Sequence, residues 1–342
     1  MAELTSSLAS FIARIPKVEL HLHLEGAVRP ETLLELSQTK SGLRQKVDEW
    51  IRERRAQHFR YGSFRQFLSA FGIVTLLLEK PEDYARATTR LLEWLADQNV
   101  KYAEIIFSAG VVLWKKQSVE AVFEAVSGAA EETGPRTGVR VQWIFDAVRH
   151  FGLDQAREVL RWAAHYRSRG VAAFGIGGDE ERGPAELFPD IFREARDWGL
   201  HTVAHAGEAS GPASIRDTVE LLGVERIGHG LTAIRDPQVM TLLRERQIPL
   251  EVCPTSNVAT GLIPRFEDHP LPKFLEEGLV VTLNSDDPAM FGTSLEGEFL
   301  EAARCFGFSR ETVMSLALNA IRASFLDEAA KQNLQDQLQL EG

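Results

Sequence analysis

Eight short runs of apolar and β-branched residues recur along this 342-residue chain, and amphipathic stretches with helical periodicity lie between most of them. This alternation is typical of βα units around a parallel sheet. The eight predicted strands are Val18–His23, Val100–Ser108, Val139–Asp146, Val171–Gly177, His201–His205, Arg226–His229, Ile248–Cys253 and Leu279–Ser285. Eight strands joined by crossover helices predict a closed TIM (β/α)8 barrel of the α/β class.

The interval after the first predicted strand, about residues 24–99, is long enough for several helices and predicts a helical insertion over the barrel mouth. Within it, Phe64, Phe67 and Phe71 share one helical face, which indicates either core packing or a lid. Two further helical stretches, Leu295–Phe306 and Arg310–Leu326, predict the eighth barrel helix and a C-terminal helical tail. We see no linker that would divide the chain, so we expect residues 1–342 to form one domain.

The charge and the cysteine content of the chain limit the kinds of molecule that it can be expected to bind. The formal net charge is −11, and 38 Lys+Arg residues against 49 Asp+Glu argue against a nucleic-acid or anionic-membrane surface. Glu3 and the interrupted apolar run after it are unlike a signal peptide, and two cysteines provide no disulfide framework. We expect a cytoplasmic protein that acts on a small molecule and binds neither nucleic acid nor membrane; the sequence leaves its oligomeric state open.

Polar side chains gather where four predicted strands end. They are His21 and His23 on the first strand, His205 and Glu208 after the fifth, His229 on the sixth, and Asp286 and Asp287 after the eighth. In a (β/α)8 barrel the chemistry lies at these C-terminal strand ends. Strand alternation turns His21 and His23 to the same face, into the barrel. Three imidazoles and a carboxylate at one rim suit Zn²⁺ better than Fe²⁺ or Mn²⁺, and we expect one zinc ion per chain.

Six motifs extend this pattern over nearly the whole length. They are PKVELHLHLEG (Pro16–Gly26), GGDE (Gly177–Glu180), HAGE (His205–Glu208), RIGHG (Arg226–Gly230), CPTSN (Cys253–Asn257) and NSDDP (Asn284–Pro288). With these motifs, in this order, the chain resembles the adenosine deaminase family of the amidohydrolase superfamily. The resemblance implies a zinc-dependent hydrolase that replaces the 6-amino group of a purine and releases ammonia.

The resemblance also implies roles for the matching residues. Zinc would be held by His21, His23, His205 and Asp286. In catalysis, Glu208 would donate a proton to purine N1, while His229 would orient and deprotonate the attacking water. Asp287 would contact N7, the backbone N–H of Gly178 would meet N3, and the insertion residues Phe67 and Phe71 would lie over the substrate. Attack at C6 breaks the aromaticity of the ring unless N1 takes a proton, so an acid facing N1 favours the transition state.

The substrate is less constrained than the chemistry. Members of the family that resemble this chain use adenosine, adenine or aminodeoxyfutalosine. Glu25 stands where many adenosine-specific members carry Asp for the ribose 5′-hydroxyl, whereas Gly228 stands where adenine-specific members tend to carry Asp. Arg29 is either a receptor for a substrate carboxylate, as aminodeoxyfutalosine would need, or a surface residue before a helix. We expect adenosine and 2′-deoxyadenosine first, aminodeoxyfutalosine second and adenine third.

Two other classes are compatible with the barrel. A barrel metallohydrolase that cleaves an ester or amide would be expected to carry a second metal, often through a lysine at the fourth strand, where this chain has Gly177-Gly178-Asp179. A catalytically silent binding protein would be expected to lack one of the ligands or the acid, and none is missing. The HxE and PCxxC signature of cytidine-type deaminases is absent.

Overall fold

Eight parallel strands form one sheet in sequence order in the computed structural model, which describes residues 5–38, 43–57 and 59–341. The strands are β1 (Lys17–His23), β2 (Val100–Phe107), β3 (Arg140–Val148), β4 (Val171–Gly177), β5 (His201–Ala206), β6 (Arg226–His229), β7 (Leu250–Val252) and β8 (Val281–Leu283). The segment after β8 returns to β1: the His23 N–H donates to the Asp286 carbonyl (2.9 Å), and the Asp286 N–H donates to the His21 carbonyl (3.0 Å). The predicted TIM (β/α)8 barrel is confirmed.

Helices surround the strands. They are α1 (Ser6–Arg14), α2 (Pro30–Ser37), α3 (Leu43–Ala56), α4 (Phe64–Leu77), α5 (Pro81–Asp97), α6 (Ala109–Trp114), α7 (Val119–Thr137), α8 (Leu153–His165), α9 (Pro189–Asp197), α10 (Pro212–Asp217), α11 (Pro237–Arg246), α12 (Pro254–Ala259), α13 (Leu271–Glu276), α14 (Pro288–Phe291), α15 (Leu295–Phe306), α16 (Arg310–Ala323) and α17 (Glu328–Glu341). Among the described residues, none of these helices is both long and apolar enough to cross a membrane.

The helices between β1 and β2 form the expected insertion, α2 to α5. Proline at the first helical position begins both α2 and α5, where its missing N–H costs no hydrogen bond. Ser63 caps α4 by accepting a hydrogen bond from the Gln66 N–H. The short helix α6 after β2 was not expected from the sequence.

Strands β7 and β8 each begin two residues later than predicted, because a turn follows each preceding helix. The Ile248 N–H donates to the Leu243 carbonyl, and the Leu279 N–H donates to the Phe274 carbonyl, so both residues belong to the turns that close α11 and α13. Strand pairing begins only after these turns.

The barrel separates two buried environments. Outward-facing residues of β1, such as Leu20 and Leu22, join the large core between strands and helices, as predicted. Inside the barrel, Ile106, Ile144 and Val203 form a small apolar layer of the kind that fills barrel interiors. The polar strand ends lie above this layer and form the floor of a cavity.

Candidate metal centre and active site

Four side chains from β1, β5 and the segment after β8 meet at the C-terminal rim of the barrel. His23 Nε2 lies 3.2 Å from His205 Nε2 and 3.4 Å from Asp286 Oδ1, while His21 Nε2 lies 3.5 Å from the same oxygen. His229 joins this group, with its Nε2 3.9 Å from Asp286 Oδ2. The ligand atoms of His21, His205, His229 and Asp286 all lie within 4.8 Å of one another, as do those of His23, Asp286 and Asp287.

The donor set fits a metal cation. His21 Nε2 is buried and has no hydrogen-bond partner, because Nδ1 of the same ring is bonded to the Glu251 carboxylate (2.7 Å). His205 Nδ1–H donates to the Ile176 carbonyl (3.3 Å), which leaves its Nε2 lone pair facing the cluster. Burial opposes ionisation of Asp286, but the imidazoles of His21, His229 and His23 around it outweigh burial and hold the pKa of Asp286 well below its ordinary value. Imidazole nitrogens around a carboxylate are typical zinc ligands.

Two residues of this cluster have left-handed backbone conformations. The φ angle is +61° at Asp286 and +63° at His229, a region that non-glycine residues occupy at a cost of about 1–3 kcal/mol. His229 lies between two glycines, and a Cβ atom at Gly228 would lie 2.7 Å from His21 Cε1. The close approach of β6 to β1 therefore requires glycine at position 228.

Glu208 follows β5 on a loop that one carboxylate holds in place. Glu180 accepts hydrogen bonds from four successive backbone N–H groups, those of residues 207 to 210, at 2.8–3.3 Å. The buried Glu208 carboxyl faces His229, with Oε1 3.7 Å from Nε2. Burial, with repulsion from Asp286 and Glu180, raises the pKa of Glu208 well above its ordinary value, which favours the acid form.

Asp287 lies beside Asp286, and its Oδ1 is buried without a hydrogen-bond partner. Burial and the neighbouring Asp286 charge raise the pKa of Asp287 well above its ordinary value. A Cβ atom at Gly26 would lie 1.6 Å from Asp287 Oδ1. Position 26, which ends the PKVELHLHLEG motif, must therefore be glycine if the Asp287 carboxylate is to keep its position.

A cavity of about 240 Å³ opens above the cluster. Of the residues singled out in the sequence, those that line it include His23, Phe64, Phe67, Phe71, Gly178, His205, Glu208, His229, Asp286 and Asp287. Phe71 contacts the His23 ring, with centroids 6.2 Å apart, and Phe67 also packs on Phe291 in the core. The two alternatives for the phenylalanine face, core packing and cavity cover, are therefore both realised by the same helix, α4.

Two candidate substrate contacts do not reach this cavity. The buried Glu25 carboxylate accepts hydrogen bonds from the Ser108 backbone N–H (3.3 Å) and hydroxyl (3.1 Å), and burial raises the pKa of Glu25 to about 7 despite these bonds. Arg29 is half-exposed at the start of α2, with its Nε 3.5 Å from Glu31. Neither is among the described residues that line the cavity, so Arg29 has the surface position that was its alternative interpretation.

Sequence reasoning missed the residues that hold the ligands. Glu251 on β7 is bonded to both His21 and Arg226, and Arg226 pairs with Glu104 across the barrel interior. The Arg149 guanidinium donates to the His205 carbonyl (2.6 Å). The sequence signal for such residues is a charged residue inside an otherwise apolar strand. Because a buried charge needs a partner, that position predicts a paired side chain.

Asp146, at the end of β3, was also missed. It lines the cavity and is 6% exposed, and its carboxylate has no hydrogen bond to any described residue. Its carboxylate occupies space that side chains on β4 would fill, since a Cβ at Gly177 would lie 3.2 Å from Asp146 Oδ2 and one at Gly175 would lie 3.3 Å from Oδ1. Burial raises the pKa of Asp146 to about 7, although Arg149 opposes the shift.

The chain is similar to known proteins over nearly its whole length. An aminodeoxyfutalosine deaminase from Streptomyces avermitilis is 37% identical over 332 residues, covering 96% of this chain and 92% of that protein. An adenosine deaminase from Clostridium perfringens is 31% identical over 325 residues, covering 94% and 98%.

Solved structures give the same result. The adenine deaminase of Arthrobacter aurescens superposes with a TM-score of 0.87 at 30% identity, covering 95% of this chain and 98% of that one. An amidohydrolase from Burkholderia ambifaria with bound Zn gives a TM-score of 0.88 at 27% identity, covering 99% and 95%.

The sequence model described as adenosine deaminase matches residues 16–340. The protein is a hydrolase of C–N bonds that acts on purine-type substrates, and its His/Asp cluster fits the metal dependence of such deaminases. The chain belongs to the adenosine deaminase family.

Proposed function

We propose that the protein is a zinc-dependent deaminase of 6-aminopurine nucleosides. The observation that carries the proposal is the set of short distances that joins His21, His23, His205 and Asp286 at the cavity floor, next to a buried carboxyl group on Glu208. Zinc bound there would supply a Lewis acid that activates water at neutral pH. The expected cytoplasmic location remains a prediction.

The protein's own side chains provide the remaining steps. Glu208 in its acid form donates a proton to purine N1, so that the ring loses less resonance energy as C6 becomes tetrahedral. Asp287 keeps its proton and donates it to N7, which resolves the conflict between two acceptors. The backbone N–H of Gly178 meets N3, while Phe67 and Phe71 cover the base. The oxygen of water bonds to C6 and the C6–N bond breaks. One proton of water passes to the departing amino group, which leaves as ammonia, and the other restores the acid form of Glu208.

The cavity favours a nucleoside with an apolar extension over adenosine itself. Glu25 is bonded to Ser108 and does not offer its carboxylate to a 5′-hydroxyl. Beyond the base site the wall is apolar, and the Trp114 and Phe151 rings stack there with centroids 6.0 Å apart. We therefore reverse the first two places of the order expected from the sequence: an aryl-extended nucleoside of the aminodeoxyfutalosine type comes first, adenosine second and adenine last. The Streptomyces avermitilis relative supports this order.

Asp146 is the residue that we assign to the sugar. Four described residues that line the cavity carry carboxylates, and Glu208, Asp286 and Asp287 belong to the reaction centre. Contact between N3 and Gly178 places the adjacent N9 substituent near β3 and β4, because N3 and N9 flank the same ring carbon. The unbonded Asp146 carboxylate then accepts a hydrogen bond from a sugar hydroxyl.

Metal content and ammonia release test the proposal together. The purified protein should contain one zinc per chain and release ammonia from at least one 6-aminopurine. We would compare kcat/KM for aminodeoxyfutalosine, adenosine, 2′-deoxyadenosine and adenine. A zinc-containing protein that releases no ammonia from any of them contradicts the proposal, whereas a preference for adenosine would overturn only the substrate order.

A further inference from the structure

His229 is connected by two side chains to a backbone amide outside the reaction centre. Asn257 Nδ2 lies 3.3 Å from His229 Nδ1, and His269 Nε2 lies 3.1 Å from Asn257 Oδ1. The backbone N of Leu271 lies 3.1 Å from His269 Nδ1. His229, Asn257 and His269 are all buried, so each polar atom of the series depends on its neighbour for a hydrogen bond.

The direction of these hydrogen bonds follows from the backbone N–H of Leu271, which can act only as a donor. A backbone N–H can only donate, so His269 Nδ1 accepts and carries no hydrogen. Burial lowers the pKa of His269 to about 3, and the neutral ring then carries its hydrogen on Nε2, which donates to Asn257 Oδ1. The reversed amide would place an NH2 group against this N–H, with two donors facing each other. Asn257 therefore turns its NH2 group to His229.

We infer that neutral His229 is held with its hydrogen on Nε2, and that it serves the reaction as a hydrogen-bond donor instead of the base that takes a proton from water; that proton passes to the Glu208 carboxylate, which has given its own proton to N1. Nδ1 accepts from Asn257, so the hydrogen remains on Nε2, the nitrogen that faces Glu208 and Asp286 at 3.7 and 3.9 Å. The tautomer follows from the hydrogen bonds alone, whereas the catalytic part rests on the proposed function.

This assignment changes the role expected for His229 from the sequence. An N–H group aimed at the reaction centre stabilises negative charge that develops on the oxygen added at C6, as a preorganised donor does. Asn257 and His269 are then positioning residues, which act only through His229. They explain why the CPTSN motif lies at this strand end without contributing to the cavity lining.

The tautomer is measurable in the zinc-loaded, full-length protein by ¹⁵N NMR of the histidine rings. His229→Asn identifies the His229 signals by their loss. We expect hydrogen on Nε2 and none on Nδ1; hydrogen on Nδ1 overturns the inference. Asn257→Asp replaces the donor by an acceptor and should move the hydrogen to Nδ1. Asn333→Asp, on α17 and bonded to Gln337, is the matched control and should leave the His229 signals unchanged.

Kinetics decide the catalytic part. The kinetics of Asn257→Asp are measured at a pH where NMR shows that His229 of this variant is neutral. In that state we expect the Nε2 atom of His229 to carry no hydrogen. If His229 acts as a donor, kcat should fall by about 100-fold, as when one preorganised donor is removed, with zinc retained and KM little changed. An unchanged or higher kcat would show that His229 is the base. A wild-type protein that deaminates nothing refutes the proposed function, and the wild-type spectrum still decides the tautomer.

Discussion

The two sides of the cavity are built differently. On the metal side, formed by the ends of β1, β5, β6 and β8, Glu251, Glu180 and Arg149 bond the ligands or the loop that carries Glu208. On the outer wall, formed by the ends of β2 to β4 with α4 and α6, the lining is mostly apolar and the Asp146 carboxylate has no hydrogen bond to a described residue. Changes on the metal side should therefore abolish the reaction, whereas changes on the outer wall should alter which substrate is used.

The largest effect is expected for His205→Ala on the metal side. Removal of a ligand should release zinc and reduce kcat/KM by roughly 1,000-fold or more, because the Lewis acid contributes several kcal/mol. Metal analysis and ammonia release measure both. His201→Ala, at the exposed beginning of the same strand and paired with Glu225, is the matched control. Zinc retained at wild-type stoichiometry in His205→Ala would contradict the assigned ligand set.

Glu208→Gln should separate binding from chemistry on the same side. The amide preserves the shape of the acid but donates no proton to N1, so kcat should fall by about 10²- to 10⁴-fold while zinc stays bound. Glu186→Gln, an exposed neighbour of this region, should behave as wild type. A variant that loses zinc along with activity would instead make Glu208 part of the metal site.

Asp146→Asn tests the polar group of the outer wall. Loss of a charge-assisted hydrogen bond to a sugar hydroxyl should raise KM by roughly 10- to 100-fold, with kcat and zinc content little changed. Wild type and variant should give similar KM values on the 2′- or 3′-deoxynucleoside that lacks the bonded hydroxyl. An equal loss on every substrate would show that Asp146 supports the metal side instead.

Trp114→Ala should have the smallest effect and the most selective one. Trp114 is 56% exposed at the cavity mouth, and an aromatic contact of about 0.5–1.5 kcal/mol corresponds to a loss of roughly 2- to 12-fold. The loss should appear in kcat/KM for aminodeoxyfutalosine and not for adenosine. Trp198→Ala, another exposed tryptophan far along the chain, is the control. Equal losses of kcat/KM on both substrates would contradict the argument that the outer wall determines which substrate is preferred.

The sequence predicted the metal side better than the outer wall for physical reasons. His21 and His23 follow from strand alternation, and His205 and Asp286 from their positions at strand ends. Asp146 satisfies the same strand-end criterion and was overlooked. The bond of Glu25 to Ser108 joins residues 83 positions apart, and no local pattern predicts such a pairing. The left-handed conformations of His229 and Asp286 also leave no mark in residue type, because both are ordinary residues in positions that favour glycine.

The junction between β1 and the segment after β8 has a consequence for biosynthesis. His21 and His23 are translated early, but Asp286 pairs with the same strand from more than 260 residues later. The proposed metal site therefore cannot be complete on a nascent chain until Asp286 has left the ribosome, and contacts so distant in sequence form slowly. Binding of a metal by the complete ligand set would then be a late event, and a chain truncated before residue 286 would lack one of the proposed ligands.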